Sequence, residues 1–257
     1  MKRFLLAIDI GNTIIGIGLM KDRKVIKTYR LETRLSNRLL SLKLKRIFRL
    51  IRKRYPVLKD VVICSVVPLK SPIVSQMIYH IWGRKPLVIG KNLYVPIRNR
   101  YHNPRQVGQD RLVGAYAAKV YYGVPAIVVD FGTAITFDMV SGKGEYLGGI
   151  IVPGIRLSAE SLFHKTALLP KIKIKRPKSL IGKDTEGSIL SGLFYGYGAL
   201  STGLIERIKR TVMPQKAKVI VTGGHLSLVR SYIHHRVVVD QNLVFKGIEL
   251  TFRKGKR

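Results

Sequence analysis

One supersecondary pattern occurs twice in this chain, and that repeat limits the folds open to it more than any other feature. Residues 3–10 read as a buried strand ending in Asp9. A turn over Gly11 and Asn12 follows, then a strand over 13–20, a turn over 21–24 and a strand over 25–31. About 120 residues later the order returns. Residues 126–131 form an apolar run containing Asp130, Gly132 and Thr133 make the turn, and strands over 134–140 and 146–152 complete the unit. A duplicated three-strand meander implies two similarly built halves, 1–120 and 121–257. The expected class is α/β: mixed sheets flanked by helices.

Helical periodicity fills the intervals. Residues 37–55 place Leu39, Leu40, Leu42, Leu44, Ile47, Leu50 and Ile51 on a broad apolar face, and Pro56 ends the run. Residues 71–82, 109–121, 155–163, 185–210, 226–232 and 243–251 read as further helices. Short strands are expected at 61–67, 87–89, 219–221 and 237–239. Residues 91–107 are broken by Pro96, Asn99, Asn103 and Pro104 and read as a loop.

Composition narrows the function classes. Of 257 residues, 46% are hydrophobic, enough for sizeable cores. The one cysteine, Cys64, excludes an internal disulfide framework, and its apolar surroundings mark it as a small buried hydrophobe. No apolar stretch is long enough to span a bilayer, and Asp9 interrupts the only leader-like run, so a soluble cytoplasmic protein is expected. Forty-seven Lys and Arg against fourteen Asp and Glu give a net charge of +33. Such a field attracts polyphosphates and polyanions alike. Nucleic acid is not the expected partner, though the charge keeps it open: the basic stretches lack the interleaved aromatics of single-strand binders.

Four segments carry candidate chemistry. Asp9-Ile10-Gly11-Asn12-Thr13 combines a glycine turn, whose amides can approach an anion closely, with an amide and a hydroxyl donor and a carboxylate suited to Mg²⁺. Asp130-Phe131-Gly132-Thr133 repeats that chemistry. Thr222-Gly223-Gly224 follows a strand, where paired glycines let a flat ligand lie on backbone. Gly108-Gln109-Asp110-Arg111 opens a helix. Asp110 there is either a helix cap or a carboxylate that takes a proton from a substrate hydroxyl, and Arg111 suits a substrate carboxylate. The residues alone leave both roles of Asp110 open. His234-His235 lack further metal-type ligands at matching spacing and read as a solvated loop.

Together with Tyr101-His102-Asn103-Pro104, the stretch from Gly148 to Gly154, and Gly182-Lys183-Asp184-Thr185, these segments resemble, in order and spacing, the type III pantothenate kinases. The resemblance runs from residue 9 beyond residue 224. It implies the duplicated ribonuclease-H-like fold of the actin, hexokinase and acetate kinase superfamily, with ATP in a cleft between two halves. It implies phosphorylation of pantothenate by ATP to 4′-phosphopantothenate, the first step of coenzyme A synthesis.

Residue roles follow from the resemblance in the same way. Asp9, Ile10, Gly11, Asn12, Thr13, Ile14, Ile15 and Gly16 would clamp ATP phosphates, with Asp9 holding Mg²⁺ through water. Gly132 and Thr133 would reach the phosphates from the second half, with Gly223 and Gly224 also at the nucleotide. Asp110 would be the general base. Tyr101, Gly108, Gln109, Asp110, Arg111 and Thr185 would hold pantothenate, and Asp130 would serve a K⁺ or NH₄⁺ site. A homodimer is implied. Ile135 and Gln109 depart from the family pattern, which favours a small hydroxyl residue at the first position and a small residue at the second. A kinase for another acid or sugar, or a nucleic-acid-binding regulator on the same fold, are the alternatives.

Overall fold

The computed structural model describes residues 4–213 and 216–255. The chain divides into two compact units, residues 1–120 with 242–257, and residues 121–241.

The first unit opens with an antiparallel meander, β1 (Phe4–Ile10), β2 (Ile14–Lys21) and β3 (Lys24–Glu32). Helix α1 (Asn37–Arg54) follows, then β4 (Asp60–Ser65), α2 (Ser71–Trp82), β5 (Leu87–Val88) and α3 (Gln109–Tyr122). The sheet order is β3-β2-β1-β4-β5, with β4 parallel to β1 and β5 parallel to β4. Helix α1 starts where the Ser36 hydroxyl accepts from the Leu39 N–H at 3.3 Å, which satisfies an amide the first turn leaves open. Arg52, Lys53 and Arg54 lie in its last turn, where cations suit the helix dipole. Its buried residues Leu40, Leu44, Phe48 and Ile51 recur at helical spacing and pack with Val74, Ile78 and Ile81 of α2 over the sheet. Removing Phe48 from water contributes about 2–3 kcal/mol.

The second unit repeats the design. Strands β6 (Ala126–Phe131), β7 (Ala134–Val140) and β8 (Tyr146–Pro153) form the meander. Helices α4 (Ile155–Lys165) and α5 (Thr185–Thr211) follow, then β9 (Lys218–Thr222), α6 (Leu226–Val229) and β10 (Val238–Val239). Sheet order is β10-β9-β6-β7-β8, with β9 parallel to β6 and β10 parallel to β9. Read outward from the first meander strand, the two sheets have the same order and the same senses. This is the duplicated ribonuclease-H-like architecture. The helix expected over 226–232 is shorter, with Arg230–Tyr232 tightening into a 3₁₀ turn.

The last helix, α7 (Leu243–Gly255), corrects the expectation that everything beyond residue 120 belongs to the second half. Its Ile248 and Phe252 are buried with Leu5, Ala7, Met20, Val62, Cys64 and Val113 of the first unit. The reason lies in β2. Gly18 has no side chain, and an added Cβ there would sit 2.8 Å from the Phe245 ring, so α7 seats an aromatic where the strand leaves room. Glu249, 2% exposed, anchors the docking: it accepts from the Arg23 N–H at 3.1 Å and from Arg253 at 2.7 Å. No helix among the described residues is long and apolar enough to cross a membrane.

Candidate active site

In the first unit, Asp9, next to last in β1, pairs with Cys64 of the parallel strand β4. Burial first, and then the charges of Asp9 and Asp110, push the Cys64 thiol well above its ordinary value. Two carboxylates about a hundred residues apart in sequence therefore both act on a thiol near the carboxyl ends of β1 and β4. In open α/β sheets that edge is where ligands bind. The start of α3 lies against the end of β4, since a side chain at Gly108 would meet Val66 at 3.4 Å and the Asp110 carboxylate at 2.5 Å.

Asp110 is half-buried, and its Oδ1 accepts from the Arg111 N–H at 2.8 Å. The carboxylate thus lies in the first turn of α3, oriented by the neighbouring backbone amide. Gln109 lies against Gly90, where an added Cβ would meet it at 3.0 Å. Tyr101 sits in the loop before α3, its N–H bonded to the Asn99 side chain at 3.0 Å.

The turn from Gly11 to Thr13 joins β1 to β2. The Gly11 N–H donates to the Ile14 carbonyl at 3.0 Å. Asn12 and Ile14 are exposed, Thr13 and Gly16 are half-buried, and Ile10 and Ile15 are core residues. Ile10 and Ile15 thus shape the turn from below and can offer a ligand only backbone. Thr33, absent from every motif above, holds this turn. Its hydroxyl donates to the Gly11 carbonyl at 2.7 Å, and its N–H donates to the Thr13 carbonyl at 2.9 Å.

In the second unit, Asp130 near the end of β6 pairs with Thr136 of β7 and Thr222 of β9. Gly223 follows at φ +104°, a region few other residues adopt, and a side chain there would collide with the Asp130 carboxylate and the Phe131 backbone. The second turn, Gly132 and Thr133, is half-buried, and Gly224 is exposed beside it in sequence. His225, also outside the motifs, bonds the Gly132 carbonyl through Nδ1 at 3.0 Å and the Phe131 carbonyl through its N–H at 2.9 Å. Ile135 is 1% exposed and belongs to the core, so strand alternation points it away from the turn, and a hydroxyl there would be buried. Thr185 is exposed at the start of α5, where Asp184 caps the Gly187 N–H at 2.6 Å.

Among the described residues, no three His, Cys, Asp or Glu side chains gather as a metal cluster. The His234 backbone N–H donates to the Thr202 hydroxyl, and His235 Nδ1 bonds the Arg236 carbonyl. Carboxylates at strand ends suit Mg²⁺, which takes one or two carboxylates and completes its shell with phosphates and water. At Asp130, the bare Gly223 backbone packs directly against the carboxylate, so the space a side chain would take is already filled.

A duplicated ribonuclease-H-like fold with an acid-glycine turn in each half is the architecture of the actin-like class, which includes ATP-dependent phosphotransferases. The family model for type III pantothenate kinases matches residues 5–207. A type III pantothenate kinase from Persephonella marina is 43% identical over 246 residues, covering 95% of this chain and 96% of that one. The chain belongs to the type III pantothenate kinase family. Solved structures agree on the fold. A Campylobacter jejuni protein described as a Baf family transcriptional activator superposes with a TM-score of 0.59 at 19% identity, covering 98% of each chain. Component A of the Acidaminococcus fermentans (R)-2-hydroxyglutaryl-CoA dehydratase gives 0.57 at 11%, covering 99% of this chain and 100% of that one.

Proposed function

We propose that this protein phosphorylates pantothenate with ATP, giving 4′-phosphopantothenate and ADP, and so opens coenzyme A synthesis in the cytoplasm as a homodimer. The observation that carries the residue assignment is geometric: Asp9 pairs with Cys64 of β4, and the start of α3 with Asp110 lies against Val66 just beyond β4. It supports a phosphate-side acid and a substrate-side acid at one sheet edge.

In this reading the backbone of residues 9–16 and the residues Gly132, Thr133, Gly223 and Gly224 hold ATP. Asp9 orients Mg²⁺ through water, and Asp130 holds K⁺ or NH₄⁺. Bound Mg²⁺ supplies neutralisation of the charge on the transferring phosphoryl group. Arg111 pairs with the pantothenate carboxylate, and Tyr101, Gly108, Gln109 and Thr185 line the substrate. The Asp110 carboxylate orients the substrate hydroxyl and accepts its proton. The hydroxyl oxygen bonds the γ-phosphorus as the bond to the β–γ bridging oxygen breaks, and ADP leaves with that electron pair.

The test is ADP release from ATP and Mg²⁺, with and without pantothenate, in potassium and in sodium buffer. Turnover should require pantothenate and rise with potassium. Asp110→Asn should retain ATP binding and lose at least about a hundredfold in kcat, the usual contribution of a positioned acid or base. A near-wild-type rate for that variant would remove the general-base role. Turnover with a sugar or another acid in place of pantothenate would favour the other kinases of this fold.

A further inference from the structure

Both glycine turns are held from behind in the same way. In the first, Thr33 binds the Gly11 carbonyl by its hydroxyl and the Thr13 carbonyl by its N–H. In the second, His225 Nδ1 binds the Gly132 carbonyl, and the Gly154 N–H donates to the Thr133 carbonyl at 2.9 Å. A carbonyl only accepts, so His225 Nδ1 carries the proton of this bond. Gly154 is confined to this place: a side chain there would collide with the Thr133 and Gly132 carbonyls.

Trans peptide geometry gives these contacts a consequence. In a planar trans peptide the C=O and the following N–H point to opposite sides. Fixing the Gly11 and Thr13 carbonyls toward Thr33 turns the Asn12 and Ile14 N–H groups away from it. Fixing the Gly132 and Thr133 carbonyls turns the Thr133 and Ala134 N–H groups away from His225 and Gly154. An anion site made of backbone amides needs this pre-set direction, because a free turn would spend binding energy on ordering it.

We propose that Thr33 and His225 are positioning residues, one in each half, that aim the phosphate-binding amides of the two turns at ATP. This rests on the reading of those turns as the ATP phosphate sites. Neither side chain touches the ligand in this scheme; each acts through the carbonyl it holds. Thr33 is 4% exposed, so losing its hydroxyl leaves the Gly11 carbonyl short of a partner that water does not readily replace.

The test compares Thr33→Val, which keeps the shape and removes the donor, with Thr33→Ser, which keeps the donor. His225→Leu and His225→Asn form the matching pair, since the asparagine amide retains an N–H. The readouts are the KM for ATP, the KM for pantothenate, kcat, calorimetric binding of a non-hydrolysable ATP analogue, and melting temperature. Thr33→Val and His225→Leu should each raise the ATP KM and weaken analogue binding about tenfold, with the pantothenate KM within about twofold. Thr33→Ser and His225→Asn should recover most of that loss. A fall in melting temperature with unchanged ATP binding would reduce both residues to structural roles and overturn the proposal. So would serine and asparagine variants as poor as valine and leucine. If Thr33→Val fails to fold, the His225 pair decides. If the wild-type protein itself does not bind the analogue, the ATP reading of the turns fails and this proposal with it. Normal wild-type binding with unaffected variants defeats this proposal alone.

Discussion

Cys64 shows what a single residue could and could not disclose. Its apolar neighbours in sequence, Val61, Val62 and Ile63, mark it as a buried hydrophobe, and it is fully buried. What the sequence withholds is Asp9 beside it, because β1 and β4 pair in parallel across α1 and no local pattern encodes that register. The same gap hid Thr33 and His225, whose roles exist only through contacts made after the chain has folded. The raised thiol pKa keeps Cys64 neutral near pH 7. Its sign follows from linkage: the folded state favours the protonated thiol, so stability is intact below the unfolded value near 9 and declines as pH rises beyond it. A thiol reagent at pH 8 should therefore label the native protein only at the rate of its opening, and completely in denaturant. Full labelling of the native protein within seconds would contradict a buried, neutral Cys64.

At the scale of elements, periodicity gave the helices and strands but not their destinations. The spacing over 243–251 reads correctly as a helix, yet its place in the chain assigns it to the second half, and α7 packs on the first. What overrides sequence order is the fit of Phe245 to the bare β2 backbone at Gly16 and Gly18, together with Glu249. The acid closes the tight β2–β3 hairpin, whose Asp22 and Arg23 both have positive φ, by accepting from the Arg23 N–H. It also holds Arg253 one turn further along α7. Glu249→Ala should lower stability by about 3 kcal/mol, since it strands a partly buried guanidinium and a hairpin amide. Urea unfolding measures this directly. A change below about 0.5 kcal/mol would mean that apolar packing alone holds α7.

Across the whole molecule, the duplication and the motif order made the fold and family legible, while the +33 charge stayed unexplained by either. The structure gives that charge a location. Between Glu32 and Asp110 the sequence contains one acidic residue, Asp60. Helix α1 has no acid at all, and Arg49, Arg52, Lys53 and His80 line one cavity with Pro56 and Ile81. The Arg52 guanidinium is held there by the Ile81 carbonyl. None of these residues belongs to the proposed ATP or pantothenate contacts, so the surface should attract polyanions without taking part in turnover. Duplex DNA should bind at about 50 mM salt and lose affinity steeply toward about 200 mM, because the interaction is counterion release from phosphates. Pantothenate-dependent ADP release should be unchanged by saturating DNA at low salt. Arg49→Ala with Lys53→Ala should flatten the salt slope by roughly two contacts and leave kcat alone. Binding that persists at 500 mM salt, or that prefers one sequence over another, would instead mark a dedicated nucleic-acid site and revive the regulator reading of this fold.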